Sequence, residues 1–260
     1  MATIPTGKFV WFEYVGKEAK QAQAFFGEVF HWKTQDVPVP GMPGGGTYTM
    51  IVAGDKTIGG YLGQPPGAPA QHHWLASLQV ADAAATAAKI QQLGGKLRME
   101  PVKMGDFGTK AVVADPFDAT FALWQPGTPE GTGDYSGKQN TWCWNELATP
   151  DPAQAIAFYK AIGGFEVTDM KSEHGTYHVL ETGGKGVAGV TRPMMPQQPT
   201  AWLPYVHVAS ADHTHDQAKR LGAKVFVPPT DIPEIGRFSV FADPNGAAIA
   251  ILQPSPTMKG

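Results

Sequence analysis

Two periods of apolar residues run along the chain. One is helical: Ala22, Phe25, Phe26 and Val29 fall at i, i+3, i+4 and i+7, and Ala155, Phe158, Tyr159 and Ile162 repeat that spacing. Each set predicts a helix with one buried face. Asp151 followed by Pro152 supplies an N-cap and a first-turn proline for the second of them. The other period is that of short strands rich in aromatic and β-branched residues. Lys8–Val15 and Trp142–Ala148 precede the two helices. Thr47–Ala53 and Thr57–Leu62 form a pair turned by Gly54-Asp55-Lys56, and Thr176–Thr182 and Gly186–Thr191 form another, turned by Gly183-Gly184-Lys185. Proline-rich loops, Gln64–Ala70 and Pro193–Pro199, lead to strands Trp74–Val80 and Trp202–Val208. Further helices are expected over Ala83–Leu93 and Ala211–Leu221, each closed by a glycine, Gly94 or Gly222. Hairpins at Asp115-Pro116 and at Asp243-Pro244-Asn245-Gly246 end the series.

The same elements appear twice because the sequence repeats. Gly94–Pro126 aligns with Gly222–Pro254 at an offset of 128 without a gap, and 12 of the 33 pairs are identical. Trp11-Phe12-Glu13 matches Trp144-Asn145-Glu146 at an offset of 133, and Thr47-Tyr48 matches Thr176-Tyr177 at 129. A long repeat used only twice means duplicated domains and not a solenoid. The reading is an α+β chain of tandem βαβββ modules: residues 3–127, a polar glycine-rich linker at 128–139, and residues 140–256.

Composition narrows the function. The 260 residues are 42% hydrophobic, enough for packed cores. A net charge of −3 without a basic run argues against nucleic acid as a partner. The single cysteine, Cys143, excludes an intrachain disulfide and fits a reducing cytoplasm. Met1–Lys8 lacks a charged start followed by an apolar stretch, so no signal peptide is expected, and no apolar run is long enough for a membrane span.

A strand, a helix ending in Phe-Phe or Phe-Tyr, further strands, and an Asp-Pro turn before the last strand resemble the vicinal oxygen chelate module of the glyoxalase/bleomycin-resistance/dioxygenase superfamily. Trp-x-Glu on the first strand and Asp231-Ile232-Pro233-Glu234-Ile235-Gly236-Arg237 resemble its hydroxylase-like or antigen-like branch. The resemblance implies curved mixed sheets, each wrapped around a cup, and metal ligands at fixed strand positions. Trp11, Leu75 and Ala122 occupy those positions in the first copy, and Trp144, Leu203 and Ala250 in the second. None offers imidazole, carboxylate or thiolate, so no metal and no other cofactor is expected. A divalent Fe, Mn, Ni or Zn ion would require a site shifted to residues such as Glu146 and His207.

Strand alternation places other residues on the face of those positions. Glu13 and Glu146 are the candidate acid–base groups, with His207 as a partner. Trp11, Trp124, Trp142, Trp144 and Tyr205 are expected to stack a ligand, and Ser77 and His73 to hydrogen-bond it. The structural alternatives are a glutamate satisfied by its neighbours, a histidine held in a strand and tryptophans in the core. His72-His73 and His213-x-His215 do not share faces and read as surface residues. Gly41–Gly46 leads into a strand and not a helix N-terminus, so it is not a phosphate loop. Cys143 reads as a packing residue. The chain is thus expected to bind a small aromatic or amphiphilic molecule, as a monomer or homodimer. The alternatives are a lyase, isomerase or oxygenase, and a protein whose cups are packed core.

Overall fold

The computed structural model describes residues 6–39, 46–64, 71–128, 138–172, 175–195 and 197–256. The Gly41–Gly46 run, the Gln64–Ala70 loop and the linker lie largely outside them. The first copy runs β1 (Phe9–Gly16), α1 (Ala19–Phe30), β2 (Lys33–Pro38), β3 (Thr47–Ala53), β4 (Lys56–Gly63), β5 (His73–Gln79), α2 (Ala83–Gln92), β6 (Lys96–Met104), β7 (Gly108–Ala114) and β8 (Thr120–Pro126). The second repeats the order: β9 (Trp142–Ala148), α3 (Pro152–Gly163), β10 (Glu166–Ser172), β11 (Gly175–Thr182), β12 (Lys185–Thr191), β13 (Ala201–His207), α4 (Ala211–Arg220), β14 (Lys224–Ile232), β15 (Gly236–Ala242) and β16 (Ala248–Pro254). The hydrogen-bonded orders are β2-β3-β4-β1-β5-β8-β7-β6 and β10-β11-β12-β9-β13-β16-β15-β14, the same topology twice.

The fold class is the expected one, but each copy holds two βαβββ motifs where the sequence suggested one. The strands missed by periodicity are β2, β6, β10 and β14, and all four are sheet edges. An edge strand carries polar and charged residues and tolerates proline, so little of it is buried, and even the alternating Lys96-Leu97-Arg98-Met99-Glu100 of β6 has no fully buried side. β2 reads Lys-Thr-Gln-Asp-Val-Pro and is mostly exposed. β6 and β14 contain Pro101 and Pro229, and their registers shift on both sides of Met99 and Val227.

Local chemistry explains the helix starts. Asp82, Asp151 and Ser210 cap α2, α3 and α4 by accepting the backbone N–H of Ala85, Gln154 and His213. Gly94 and Gly222 follow α2 and α4 with φ of 85° and 93°, a left-handed turn open to glycine.

By internal contacts the chain forms two compact units, and each draws on both copies. The first contains residues 1–11, 75–134 and 144–202. Its core packs Leu78, Ile90, Val113, Phe121 and Leu123 with Leu147, Phe158, Tyr159, Val190 and Trp202. Asp115 is fully buried there. Its Oδ1 accepts the N–H groups of Phe117 and Ala119, closing its own turn, and its Oδ2 accepts the Tyr159 hydroxyl at 3.1 Å. Burial raises the Asp115 carboxyl above its usual range, and the backbone donors oppose that shift.

The second unit contains residues 12–74, 135–143 and 203–260. Its core is aromatic: Tyr14, Phe26, Phe30, Trp32, Trp74 and Trp142 meet with ring centroids 4.7–6.1 Å apart. Here the second copy's Asp243 closes its turn through Ala247 N and accepts the Tyr14 hydroxyl at 3.0 Å. His215, read from the sequence as a surface residue, is instead buried, with Nδ1 2.8 Å from Ser239 Oγ. On α4 it lies four residues after Ala211, on the buried face of the helix.

One position of the first unit contradicts its surroundings. Asn145 shares a strand face with the core residue Leu147 and is 1% exposed, and neither atom of its amide has a hydrogen-bond partner. The first copy has Phe12 there. Replacing an unsatisfied buried amide with an isosteric apolar group removes its desolvation cost. We expect Asn145→Leu to raise the unfolding free energy by about 1–3 kcal/mol, read as a higher urea midpoint at unchanged slope. A lowered midpoint would show that the amide is satisfied in solution.

Candidate functional site

In every half-sheet one face packs on a helix and the other turns away from it. Leu78, Phe121 and Leu123 pack with α2, so Ser77, Gln79, Ala122 and Trp124 project from the opposite side. By the same parity Glu13 projects opposite Tyr14, which packs on Phe26 of α1. Glu146 projects opposite Leu147.

The most definite feature on these faces is a motif built twice. In the second unit Glu13 is 4% exposed and accepts the Tyr48 hydroxyl at 2.9 Å. In the first unit Glu146 is 9% exposed and accepts the Tyr177 hydroxyl at 2.9 Å, and Trp144 Nε1 donates to that same hydroxyl at 2.8 Å. The strand register explains how a tyrosine reaches the carboxylate. Gly60 of β4 lies opposite Glu13, and Gly189 of β12 lies opposite Glu146. A Cβ at either glycine would overlap the tyrosine hydroxyl, so only glycine leaves that slot. A buried carboxylate needs a donor to answer it, and the tyrosine hydroxyl supplies one. Burial first, and then the Glu146 charge, push the Tyr177 hydroxyl well above its usual range, so it stays a donor. The sequence pointed to both glutamates but not to their partners. The Thr-Tyr match at an offset of 129 was the available signal, since Gly60 and Gly189 share that offset.

The remaining candidates fall into rows that differ between the copies. In the first unit Gln79 pairs with Trp124, and Trp124 with Lys110, across β5, β8 and β7. These three side chains stand side by side at the spacing of adjacent strands, about 4.8 Å. Ser77, Ala122 and Val112 form the next row. Lys110 is 8% exposed, and a cation on this face was not anticipated from the sequence. In the second unit the rows are His207, Leu252, Phe238 and Tyr205, Ala250, Val240. The first copy thus shows an amide and an amine flanking an indole, and the second shows aromatic and aliphatic groups beside one imidazole.

The structure does not gather all the predicted residues. Trp11, Ser77, Trp124, Trp144 and Glu146 belong to the first unit, and Glu13, His73, Trp142, Tyr205 and His207 to the second. Trp142 is a core residue and not part of a ligand face. It is 3% exposed, donates to Ile58 O at 2.7 Å and packs on Phe12 with centroids 4.6 Å apart. Trp142 and Cys143 belong to the second unit with Phe12 and Ile58, and Trp144–Ala148 of the same strand to the first; Phe9, the first residue of β1, packs on Trp202. His72 and His73 are both half-buried, and His72 lies 3.1 Å from the Tyr14 hydroxyl. Cys143 lies against Tyr205 O at 3.6 Å, and burial pushes its thiol up to about 12, as suits an inert packing residue. Arg237 is held by Asp212 and Asp231 at 2.8–2.9 Å, which makes it a member of a surface ion-pair group.

This topology and repeat have counterparts. The model of the Glyoxalase/Bleomycin resistance protein/Dioxygenase superfamily matches residues 8–123 and again 144–251. The chain belongs to that superfamily. A protein of Mycobacterium tuberculosis (strain CDC 1551 / Oshkosh), named "Putative glyoxylase CFP32", is 35% identical over 249 residues, covering 95% of this chain and 94% of that one. The anthracycline biosynthesis protein DauV of Streptomyces sp. (strain C5) is 27% identical, covering 97% of this chain and 95% of that one. In fold, the chain is similar to the Mn(II)-bound glyoxalase of Novosphingobium aromaticivorans, with a TM-score of 0.63 at 16% identity, covering 96% of this chain and 82% of that one.

The Novosphingobium aromaticivorans neighbour holds Mn(II). Trp11, Leu75, Ala122, Trp144, Leu203 and Ala250 stand where the superfamily resemblance places ligands, and none carries a donor for a divalent cation. Among the described residues no three His, Cys, Asp or Glu side chains are grouped to hold an ion.

Two measurements test this geometry. Gly60→Ala should displace Tyr48 from Glu13 and cost about 1–3 kcal/mol in urea unfolding, whereas Gly63→Ala, on the same strand with open space at its Cβ position, should cost far less. Equal costs would remove the slot argument. The second concerns His73, whose pKa burial, and then His72, hold below the ordinary 6.5. A depressed histidine favours the neutral form in the folded state, so the stability it carries is present above pH 6.5 and is lost as pH falls below it. The melting temperature of wild type should therefore fall relative to that of His73→Gln between about pH 7 and about pH 5. Parallel curves would refute the assignment.

Proposed function

We propose that the chain is a small-molecule-binding protein that holds a planar aromatic or amphiphilic compound against its helix-averted sheet faces, without the superfamily's metal. The observation that carries this reading is the duplicated Glu–Tyr–Gly motif. Both copies place a buried carboxylate on such a face, orient it with a tyrosine and accept a glycine in mid-strand to do so, although glycine weakens a strand. Trp144 and Trp124 provide aromatic surface on these faces, and Glu13 and Glu146 accept hydrogen bonds from ligand hydroxyl or amine groups. The DauV name supports a ligand of this kind, since an anthracycline is a fused-ring planar compound bearing hydroxyl and carbonyl groups. The ligand is the partner in this reading, and nucleic acid and membranes are not. Among the described residues no helix is long and apolar enough to cross a membrane. We place the protein in a reducing cytoplasm as a monomer or homodimer.

Titration with an anthracycline, followed by quenching of the ligand's fluorescence and by melting temperature, tests the reading. A bound ligand at about 100 times its dissociation constant adds roughly 2.7 kcal/mol of stability. Glu146→Gln keeps the size and removes the charge. It should weaken binding about tenfold or more, as loss of a charged hydrogen bond does, while the melting temperature of the free protein stays near wild type. If Glu146 is only structural, melting falls and binding per folded molecule persists.

A second reading, favoured by the held carboxylate and by the glyoxylase name of a relative, is an enzyme. In it Glu146 takes a proton from a carbon next to a carbonyl and returns it to the product, with Tyr177 fixing the carboxylate. Turnover of the methylglyoxal–glutathione adduct by wild type, lost in Glu146→Gln at unchanged melting temperature, would establish it.

A further inference from the structure

The buried aspartates of the two units share a tyrosine anchor, but the groups behind the tyrosines differ. In the first unit Trp202 Nε1 donates to the Tyr159 hydroxyl at 3.0 Å, and Trp202 is buried. In the second unit an imidazole takes that place: His72 Nδ1 lies 3.1 Å from the Tyr14 hydroxyl, and His72 is half-buried. Anchoring needs one N–H donor, which an indole supplies, whereas an imidazole brings a second nitrogen. Gly16, at the end of β1, makes room for the ring, since a Cβ there would overlap His72 Nδ1. The hydrogen bonds fix which nitrogen carries the proton. The Tyr14 hydroxyl has one hydrogen and donates it to Asp243 Oδ2 at 3.0 Å, and its oxygen accepts Asn245 Nδ2 at 3.3 Å. It has nothing left to donate, so His72 Nδ1 holds a hydrogen and donates it to Tyr14. Nε2 is therefore left with a lone pair. Burial first, and then the Asp243 charge, push the Tyr14 hydroxyl well above its usual range, so it remains a donor. Asp243, Tyr14 and His72 thus form a relay from a buried carboxylate to a half-buried imidazole. Tyr14 packs on Phe26 of α1, so the relay lies on the side of β1 opposite Glu13.

We propose that His72 is a nucleophile whose Nε2 takes the acyl group of a neutral ester with a good leaving group, at a site separate from the glutamate-bearing sheet faces. The Nε2 lone pair adds to the ester carbonyl carbon. The bond from that carbon to the leaving oxygen breaks, and an aryl ester releases its phenolate with the bonding pair. The acylimidazolium keeps its hydrogen on Nδ1 and donates it to Tyr14, and the Asp243 carboxylate behind the tyrosine offsets the positive charge, as a buried aspartate does for the histidine of a catalytic triad. Water then adds at the acyl carbon, the carbon–nitrogen bond breaks with its pair returning to Nε2, and the carboxylic acid and one proton leave. Asp243 and then Glu18 act on Tyr14 as negative charges. Their field disfavours an anionic donor such as a phosphate monoester, and the neutral acyl group is assigned on that ground.

Diethyl pyrocarbonate and para-nitrophenyl acetate test this on the whole chain. Wild type should be carbethoxylated at His72 ahead of the more exposed His213, as mapped by mass spectrometry of a digest. It should release nitrophenolate from the ester. His72→Gln, whose amide can still donate to Tyr14, should lose that release at an unchanged melting temperature, while His213→Gln keeps it. The imidazole nitrogen resonances of wild type should show the His72 hydrogen on Nδ1. If His72→Gln does not fold, the carbethoxylation order and these resonances decide, since both are read on wild type. A hydrogen on Nε2, His213 modified before His72, no release by wild type, or release that persists in His72→Gln would each overturn the proposal. Turnover of para-nitrophenyl phosphate without turnover of the acetate would overturn the acyl assignment. None of these outcomes involves Glu146 or a ligand on the sheet faces, so this inference and the small-molecule reading fail separately.

Discussion

A buried aspartate at the end of each copy holds each compact unit together. Asp115 and Asp243 close their own turns with backbone donors and then accept a tyrosine hydroxyl from the other copy, Tyr159 or Tyr14. A carboxylate with no exposed surface is tolerable only when its oxygens are answered. This requirement ties the last hairpin of one copy to a strand or helix of the other within one unit. The tyrosines are donors of different origin, since Tyr14 lies on β1 and Tyr159 on α3. Equivalent anchoring points are thus reached by non-equivalent residues. Trp202 adds a donor to the Tyr159 hydroxyl, and Asn245 adds one to the Tyr14 hydroxyl.

The same rule, applied on the other side of the sheets, shapes the candidate site. Glu13 and Glu146 are carboxylates with little exposure, and each is answered by a tyrosine two strands away in sheet order, reaching across a glycine. The parallel register between the Glu strand and the Gly strand makes this arrangement transferable between copies. It fixes a carboxylate beside a tyrosine in each copy. The polar groups on these faces are the glutamates, their tyrosines, and members of the unequal rows that contain Lys110 and His207.

Duplication followed by divergence accounts for that inequality. Most residues that pack on helices stayed apolar between copies, because a core tolerates simultaneous hydrophobic substitutions that keep its total volume. Val113 and Phe121 in one copy correspond to Phe241 and Ile249 in the other, and all remain buried. On the faces turned away from helices, Gln79 became His207 and Lys110 became Phe238, or the reverse. Asn145 is the exception on the core side: an amide stands where the first copy has Phe12. The structure offers no partner for it.

The sequence by itself determined the duplication, the fold class, the four helices and the strands that lie inside the sheets. Each of those rests on a local signal: a period of 3.6 or 2, a capping aspartate, a glycine after a helix, or a repeat read at a fixed offset. It also placed Glu13 and Glu146 on one face, since parity is a local property of a strand. Tertiary structure alone decided the rest. Among the described residues edge strands β2, β6, β10 and β14 have no buried position, so the contrast that marks an inner strand is faint in them even where, as in β6, polar and apolar residues alternate. The tyrosine that answers each glutamate comes from 35 or 31 residues away along the chain, through a slot that exists because two strands meet in one register. Trp142 packs on Phe12 and donates to Ile58 O, contacts with residues more than 80 positions away in the chain. His215 left the surface because the helix face it occupies is covered by β15. Pairings across a sheet obey packing and hydrogen-bond satisfaction over long separations, and no local pattern records them.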